Sequence, residues 1–339
     1  MKTLQKAIRV GAVGCGYWGP NLIRNLRQLP DCDLKVICDS SEQRLSHMRR
    51  LHPGVATTHR FEQLLEDAEL DAVIIATPVR FHYEMAKACL EAGKHVFIEK
   101  PMARTVAEAE ELVALADRQG LTLMVGHTFL FSPAVRRMKQ IVEAGDIGEV
   151  QYISARRLNL GLFQKDINVA WDLAPHDLSI MDHLVKSRPE FLAATGQSHV
   201  NSHQDVAYIT VYLSDNVIAH FNVNWLSPVK VRTTLLGGEK KMVVWNDLDA
   251  DEKIKVYDKG VEIKSRQGVY ELLVSYRTGD MWAPKVEQTE ALAAEVRYFV
   301  DCITRNIVPF NDGIAGLRVV KLLEAADRSL ADKGAAVRL

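Results

Sequence analysis

The fold is decided by residues 7–19, which read AIRVGAVGCGYWG. The first seven are mostly apolar and β-favouring, which predicts a buried strand. Behind the glycines, Leu22, Ile23 and Leu26 recur at helical spacing, which predicts a helix over 21–28. A strand, a G-x-G-x-x-G turn and a helix in this order are typical of a dinucleotide-binding domain.

Each glycine of the turn has a physical task in such a domain. Gly14 allows the tight turn, Gly16 lets the backbone approach a pyrophosphate, and Gly19 lets helix and strand pack closely. The first turn of the helix then presents free N–H groups to the phosphates. Tyr17 and Trp18 lie within the same loop and are included in the predicted cofactor site. The alternative is a glycine turn without a ligand.

Asp39 ends the second predicted strand, 34–38, about twenty residues past the last glycine. A carboxylate at this distance accepts hydrogen bonds from the ribose hydroxyls of the adenosine half. It would repel a 2′-phosphate, so the pattern favours NAD over NADP. Arg44 lies nearby and leaves NADP open as the less favoured cofactor.

Strands and helices continue to alternate up to His127. The apolar run 71–76 ends in Thr77-Pro78, and the strand 95–98 ends in Glu99-Lys100-Pro101, because proline cannot continue a sheet ladder. The pattern predicts a doubly wound parallel sheet, in which ligands bind at the carboxyl ends of the strands. These end residues are therefore assigned to the cofactor site, and Lys100 also to catalysis. An exposed ion pair is the alternative for Glu99 and Lys100.

Two histidines lie near the same edge. His82 is assigned to the cofactor and His127, after the strand 121–126, to the substrate. Ordinary hydrogen-bonded structural histidines are the alternative for both.

The second part of the chain has a different pattern. The domain change is placed near 126–132, which gives a first domain 1–128 and a second domain 129–339. A strand is predicted at 149–155. Beyond residue 191, turns separate strands at 206–213, 217–225, 231–236, 242–245 and 253–257, which predicts an antiparallel meander in an α+β domain. Helices are predicted over 133–144, 287–305 and 314–333. One face of such a sheet needs cover, so a homo-oligomer, dimer or tetramer, is expected.

Asp172 and His176 are the candidate catalytic pair of this part. Pro175 is tolerated in the first turn of a helix, so a helix is predicted to begin there. Residues four apart then point the same way, and histidine suits a general base near neutral pH. The alternatives are a helix cap for Asp172 and a packed first-turn residue for His176.

Five basic residues flank this pair: Arg156, Arg157, Lys165, Lys230 and Arg232. They are candidates for gripping a phosphate or pyrophosphate on the substrate. Exposed charges at strand edges are the alternative.

Composition excludes several classes of function. The chain has 339 residues, 47% of them hydrophobic, and a net charge of -1, so nothing favours nucleic acid or an anionic membrane as a partner. No apolar run reaches membrane-spanning length. The five cysteines are scattered, which predicts reduced thiols in a cytoplasmic protein and no metal cluster.

Four motifs together resemble the Gfo/Idh/MocA superfamily. They are the glycine turn, ATPVRFH at 76–82, EAGKHVFIEKP at 91–101 and Val-Gly-His at 125–127. The resemblance implies an N-terminal Rossmann domain, a C-terminal domain with a large open sheet, and NAD(P)-linked oxidation of sugar or cyclitol hydroxyls.

The resemblance also implies roles. Lys100 would orient the reacting oxygen, His176 would remove its proton, and Asp172 would bind a sugar hydroxyl. The family usually has a glycine inside its Asp-x-x-x-His pattern, where this chain has Leu-Ala-Pro. Segments 171–177 and 225–232 resemble a branch acting on nucleotide sugars for cell-surface polysaccharides. This favours oxidation at C3 of a UDP-N-acetylhexosamine or its uronic acid. An inositol or free-sugar dehydrogenase and a non-catalytic NAD-binding regulator are the alternatives.

Overall fold

The structure, a computed structural model, describes residues 7–161, 163, 166–200, 202–263 and 274–339. Contacts between Cα atoms divide the chain into two compact units. The first contains Met1–Phe131 and Thr289–Glu324, and the second contains Ser132–Gln288 and Ala325–Leu339.

The first unit contains a six-stranded parallel sheet in the order β3-β2-β1-β4-β5-β6. The strands are β1 Ile8–Val13, β2 Cys32–Cys38, β3 Ala56–Thr58, β4 Ala72–Ile75, β5 His95–Glu99 and β6 Leu123–Gly126. This is the doubly wound order of a dinucleotide-binding domain, and it confirms the predicted fold class. Pyrophosphate and adenosine sites of such domains lie at the ends of β1 and β2.

Five helices connect these strands: α1 Gly19–Arg27, α2 Glu42–Leu51, α3 Glu62–Glu66, α4 His82–Glu91 and α5 Val106–Gln119. A capping box begins α5, because the Thr105 side chain accepts from the Glu108 N–H and the Glu108 carboxylate accepts from the Thr105 N–H. Gly120 ends this helix in the left-handed region, as a glycine at this position does.

The first unit also receives a late part of the chain. It consists of α8 Ala291–Arg305 and the beginning of α9 Gly313–Ala331. Phe299 packs edge-to-face on Phe97 of β5, with ring centroids 5.7 Å apart, and Arg297 pairs with Asp31. The sequence prediction assigned all of 129–339 to the second domain and differs here. Periodicity predicts an amphipathic helix but not the sheet on which its apolar face packs.

The second unit contains a nine-stranded sheet in the order β16-β13-β12-β11-β7-β10-β9-β8-β17. Its strands are β7 Val150–Leu160, β8 Pro189–Gln197, β9 Val206–Leu213, β10 Ile218–Asn224, β11 Leu226–Gly238, β12 Met242–Asn246, β13 Ile254–Tyr257, β16 Met281–Trp282 and β17 Val337–Arg338. A separate hairpin pairs β14 Gly260–Ile263 with β15 Val274–Arg277.

The predicted meander is interrupted at its centre. β10 and β11 follow each other in the chain, but β7 lies between them, parallel to β10 and antiparallel to β11. The ladders between the other neighbours of this sheet are antiparallel. A mostly antiparallel sheet is therefore confirmed, whereas the neighbour order depends on pairings that alternation along single strands does not encode.

One face of this sheet is covered by α7 Val169–Leu184, and α6 Pro133–Glu143 packs on α7. The other face presents large exposed side chains, namely Tyr152, Phe191, Tyr208, Tyr212 and Ile218. Strand β9 shows the alternation directly, with buried residues on one face and exposed ones on the other. None of the helices in the described parts of the chain is long and apolar enough to cross a bilayer.

Helix α7 begins six residues before the predicted start. Asn168 caps it by accepting from the Trp171 N–H at 3.1 Å, and Pro175 lies inside the helix. The prediction of a start at Pro175 is therefore wrong, and so is a capping role for Asp172. Asp327 fixes the early turns, because it accepts from the Trp171 indole at 2.6 Å and from the Asn168 amide at 2.8 Å. Such packing offsets the cost of an interior proline, about 3 kcal/mol.

Candidate functional site

The glycine turn has the backbone geometry that a pyrophosphate site needs. Gly14 has φ +94°, and a Cβ there would lie 2.6 Å from the Ala76 carbonyl oxygen. A Cβ at Gly19 would lie 1.9 Å from the Gly14 carbonyl oxygen, so β1 and α1 approach closely. At Gly16 a Cβ would meet nothing within 4 Å. The turn is thus rigid at its ends and open in the middle, where the residues present fit the phosphates of a dinucleotide.

Asp39 ties the glycine turn to the end of β2. Its carboxylate accepts from the Cys15 N–H at 2.6 Å and from the Ser41 N–H at 2.8 Å, and Arg44 lies 3.6 Å away. A carboxylate has about four acceptor positions, so two main-chain bonds leave capacity for ribose hydroxyls. The ribose contact stays a prediction, to which the structure adds a role in holding the loop.

Tyr17 and Trp18 stand exposed at the opening of this loop. Their side chains have exposed fractions of 77% and 43%, and their rings meet edge-to-face with centroids 5.6 Å apart. Large aromatic surfaces beside an open phosphate site are available to a ligand, so their assignment to the cofactor stays a prediction.

His82 does not face a ligand. Its ring is buried, with Nδ1 2.8 Å from the Pro101 carbonyl oxygen and Nε2 2.7 Å from the Thr77 carbonyl oxygen. Burial lowers the pKa of this imidazole. The assignment of His82 to the cofactor is therefore corrected to the structural alternative: it links the turns that follow β4 and β5. Thr77 is half-buried and Pro78 exposed at the β4 turn, where both remain candidates.

Glu99, Lys100 and His127 lie where β5 and β6 end. Glu99 is buried, and burial raises the pKa of its carboxyl to about 7 although Lys100 acts in the opposite direction. Lys100 is half-buried, and an exposed surface pair is thereby excluded for Glu99. Burial and then Lys100 lower the pKa of His127 to about 3, so this imidazole is neutral near pH 7. Neither ring nitrogen of His127 meets a hydrogen-bond partner in the described part of the protein.

In the second unit, α7 carries Asp172 and His176. They stand four residues apart, and both are half-buried. The indole N–H of Trp225 donates to the Asp172 carboxylate at 3.0 Å, and the Trp225 ring is fully buried. A rigid donor of this kind fixes the orientation of the carboxylate. Sequence reasoning missed this role, because 53 residues separate the partners.

Arg157 is part of a buried ion pair. Its guanidinium donates to both carboxylate oxygens of Asp177, at 2.9 and 2.7 Å, and the two side chains are 4% and 5% exposed. The prediction that Arg157 binds a phosphate is therefore corrected, because its guanidinium already donates two hydrogen bonds to Asp177 in the protein interior. Asp177 follows His176 in the chain, so the pair holds the middle of α7 against β7.

The remaining basic candidates are closer to solvent. Arg156 alternates with Arg157 and is exposed on the opposite face of β7, and Lys230 is exposed on β11. Arg232 lies 3.2 Å from Asp247 and is half-buried. Lys165 lies outside the described residues. Arg156, Lys230 and Arg232 stay predictions for substrate binding.

Two family models match the chain. Residues 8–127 match the oxidoreductase family with an NAD-binding Rossmann fold, and residues 135–244 match the GFO/IDH/MocA C-terminal domain. The two matches cover most of the chain and agree with the glycine turn and the two sheets described above.

Several similar proteins have assigned activities in their names. The UDP-N-acetylglucosamine 3-dehydrogenase of Acidithiobacillus ferrooxidans is 29% identical over 92% of this chain and 94% of that protein. Its solved structure aligns at TM-score 0.83, with 25% identity, over 96% of this chain and 98% of that one. A myo-inositol 2-dehydrogenase of Thermotoga maritima is 28% identical over 56% of this chain and 58% of its own.

A scyllo-inositol dehydrogenase of Lactobacillus casei, solved with NAD(H) and scyllo-inositol, aligns at TM-score 0.79 over 98% of this chain and 99% of that one. At 19% identity this likeness supports the fold alone. Together with the family models and the Rossmann sheet, these findings lead to one conclusion. The chain belongs to the GFO/IDH/MocA oxidoreductase family and is an NAD(P)-dependent dehydrogenase.

Proposed function

We propose that this protein oxidises a sugar hydroxyl with NAD, at C3 of a UDP-N-acetylhexosamine or of its uronic acid. The observation that carries the proposal is similarity over nearly the whole chain to a UDP-N-acetylglucosamine 3-dehydrogenase, 29% over 92%. The buried support of α7 agrees with it, because Trp225 and Arg157 hold the helix that carries Asp172 and His176.

The roles follow from the chemistry of alcohol oxidation. NAD, when bound, accepts the hydride from carbon. His176 takes the hydroxyl proton as a neutral imidazole, since loss of hydride from carbon must accompany loss of the proton from oxygen. Lys100 orients the oxygen with its ammonium and stabilises the developing alkoxide. Asp172, oriented by Trp225, accepts a hydrogen bond from a neighbouring hydroxyl of the sugar.

The diphosphate would be held by the basic residues of the second unit. Lys230 is exposed and Arg232 half-buried on β11, while Arg156 faces the other side of the sheet. Because Arg157 is committed to Asp177, Lys230 and Arg232 carry this part of the proposal.

An inositol or free-sugar dehydrogenase is the second candidate. Arg157 and Arg232 are both paired with carboxylates, which reduces the positive charge offered to a diphosphate. The inositol dehydrogenase of Thermotoga maritima supports the same alternative. A non-catalytic NAD-binding regulator is disfavoured because Lys100, Asp172 and His176 are all retained.

The deciding experiment is NADH formation with a panel of substrates. The panel contains UDP-N-acetylglucosamine, its uronic acid, UDP-glucose, N-acetylglucosamine and myo-inositol. We expect turnover with a UDP-N-acetyl sugar, and in K230A/R232A a KM raised roughly tenfold or more with kcat little changed. Turnover of myo-inositol alone, insensitive to that double variant, would establish the second candidate.

We also propose a homo-oligomer formed through the exposed face of the nine-stranded sheet. That face presents aromatic side chains on neighbouring strands, including Tyr152, Tyr208 and Tyr212. Such a surface is typical of an interface between subunits. Sedimentation of the wild type and of Y208E/Y212E tests this proposal. The two glutamates should disrupt the contact across this face and reduce the molecular mass in solution to that of one chain.

A further inference from the structure

The end of β5 lies on the nicotinamide side of the cofactor site. In the first unit the pyrophosphate turn follows β1, and Asp39, assigned to the adenosine ribose, follows β2 on one side of it. A dinucleotide spans the point where strand order reverses, so its other half lies over the ends of β4, β5 and β6. Glu99 and Lys100 occupy the end of β5.

A second buried carboxyl, that of Glu295 on helix α8, lies near Glu99. Phe97 and Glu99 are two apart on β5 and share one face of the strand, and Glu295 and Phe299 are one turn apart on α8. Because the Phe97 and Phe299 rings pack at 5.7 Å, the turn that carries Glu295 lies over Glu99. The Glu99 carboxyl also packs closely on Gly126 of β6, where a Cβ would approach it to 3.3 Å.

Glu295 is isolated from water. Its side chain is fully buried, the Thr128 hydroxyl donates to Oε2 at 2.6 Å, and Oε1 meets no hydrogen-bond partner among the described residues. Burial, and then the nearby Glu99, raise the pKa of Glu295 well above its ordinary value. Two buried carboxyls that lie near one another do not both ionise readily. This environment favours the protonated form of Glu295 and makes Glu99 the carboxyl of the two that ionises first.

Several elements pack around Glu99 and Glu295, and the charged or titratable groups that they carry are as follows. Lys100, next to Glu99 on β5, favours ionisation of Glu99. His127, after β6, is neutral near pH 7 and contributes no charge. From α1, Arg24 is paired with Glu290 at the start of α8. Ionisation of Glu99 thus changes the charge of this region by one unit.

We propose that Glu295 keeps its proton on the nicotinamide side of the site while Glu99 gains and loses one, and that ionisation of Glu99 controls the relative affinity for NAD⁺ and NADH. The oxidised ring is cationic and the reduced ring neutral. A carboxylate beneath the ring therefore attracts the oxidised form alone. Glu295 is a positioning residue here, since it acts through Glu99, and sequence reasoning missed it.

The proton on Glu295 is tested by infrared spectroscopy of the protein without cofactor, at a pH near 8. The wild-type spectrum should contain the C=O stretch of a protonated carboxylic acid. Glu295→Gln, which keeps the shape of the neutral acid, should remove this band, and Glu99→Gln should keep it. Persistence of the whole band in folded E295Q, checked by thermal unfolding, would overturn the assignment.

The effect on the cofactor is tested by binding alone, so it does not depend on the proposed substrate. Dissociation constants for NAD⁺ and NADH are measured between about pH 6 and about pH 8. In the wild type we expect the preference for NAD⁺ to increase with pH by roughly three- to tenfold. E295Q should retain this increase, because glutamine replaces the neutral form, and E99Q should abolish it.

Glu290→Gln provides the matched control. Glu290 stands at the start of the same helix but is partly exposed and paired with Arg24, so its removal should leave the pH dependence intact. A wild-type preference that does not change with pH would refute the proposal, as would an E99Q variant that behaves like the wild type. If E290Q and E99Q changed the pH dependence of the NAD⁺ preference equally, the proposal would also be refuted. The effect would then arise from the overall charge of the protein and not from Glu99.

Discussion

Replacing Arg157 by methionine tests whether this residue is structural. The guanidinium and the Asp177 carboxylate are 4% and 5% exposed and share two short bonds, so R157M would leave a buried carboxylate without its partner. Breaking a buried pair from one side costs about 3–5 kcal/mol in the free energy of unfolding. That is a large fraction of the roughly 5–15 kcal/mol that stabilises a typical domain.

The measurement is urea unfolding of R157M, D177L and the double variant. R157M/D177L removes both charges. Its loss in the free energy of unfolding should therefore be smaller than the sum of the losses in the two single variants, with a coupling energy of about 1–3 kcal/mol. Arg156→Met is the matched control, exposed on the next position of β7, and should change stability by less than about 0.5 kcal/mol. If R157M unfolded like R156M but raised the KM for a nucleotide sugar, Arg157 would be a phosphate ligand and the structural account would be refuted.

Three further predictions concern the cofactor unit and the catalytic groups. Lys100→Ala and His176→Ala should each lower kcat by roughly two to four orders of magnitude with the Kd for NAD little changed; small effects from both would remove them from the chemistry. Asp39→Asn should reduce the ratio of NAD to NADP affinity, measured by titration, and an unchanged ratio would exclude the ribose contact. Relative to the wild type, Glu295→Gln should raise the free energy of unfolding, measured with urea, by an amount that increases with pH. A difference that does not change with pH would contradict a buried proton on Glu295.

The sign of the last effect follows from proton binding. The folded-state pKa of Glu295 lies well above its ordinary value of 4.5, chiefly through burial. Below that ordinary value both states hold the proton, and above it only the folded state does. The wild type therefore loses about 1.4 kcal/mol of stability per pH unit from this group until it ionises in the folded state, and the glutamine variant does not.

Local signals in the sequence predicted much of the first unit. The glycine turn and the apolar run at 71–76 each depend on residues within a few positions of one another. Backbone geometry there is determined by sterics and by hydrogen bonds that one short segment completes itself. For the same reason, the doubly wound parallel sheet could be predicted without knowledge of the rest of the chain, except for its short edge strand Ala56–Thr58.

The predictions that failed concern residues whose interaction partners are distant in the sequence. The proline rule predicts a helix start at Pro175, but Asp327, 156 residues after Trp171, stabilises the turns that precede it. The partner of Arg157 is Asp177, 20 residues away, and a strand pattern does not reveal this pairing. No local motif marks the roles of Trp225 and Glu295. The hydrogen bond from Trp225 to Asp172 and the burial of Glu295 both arise only when the chain folds.

The central claim of the proposed function is that Lys100 and His176 act on the same hydroxyl group of the substrate. The most direct measurement is a crystal structure of the protein with NAD and the nucleotide sugar that it oxidises. The account predicts Lys100 Nζ and a ring nitrogen of His176 each within about 3 Å of the same sugar oxygen. An ammonium and an imidazole that contact different hydroxyls, or no hydroxyl, would contradict it.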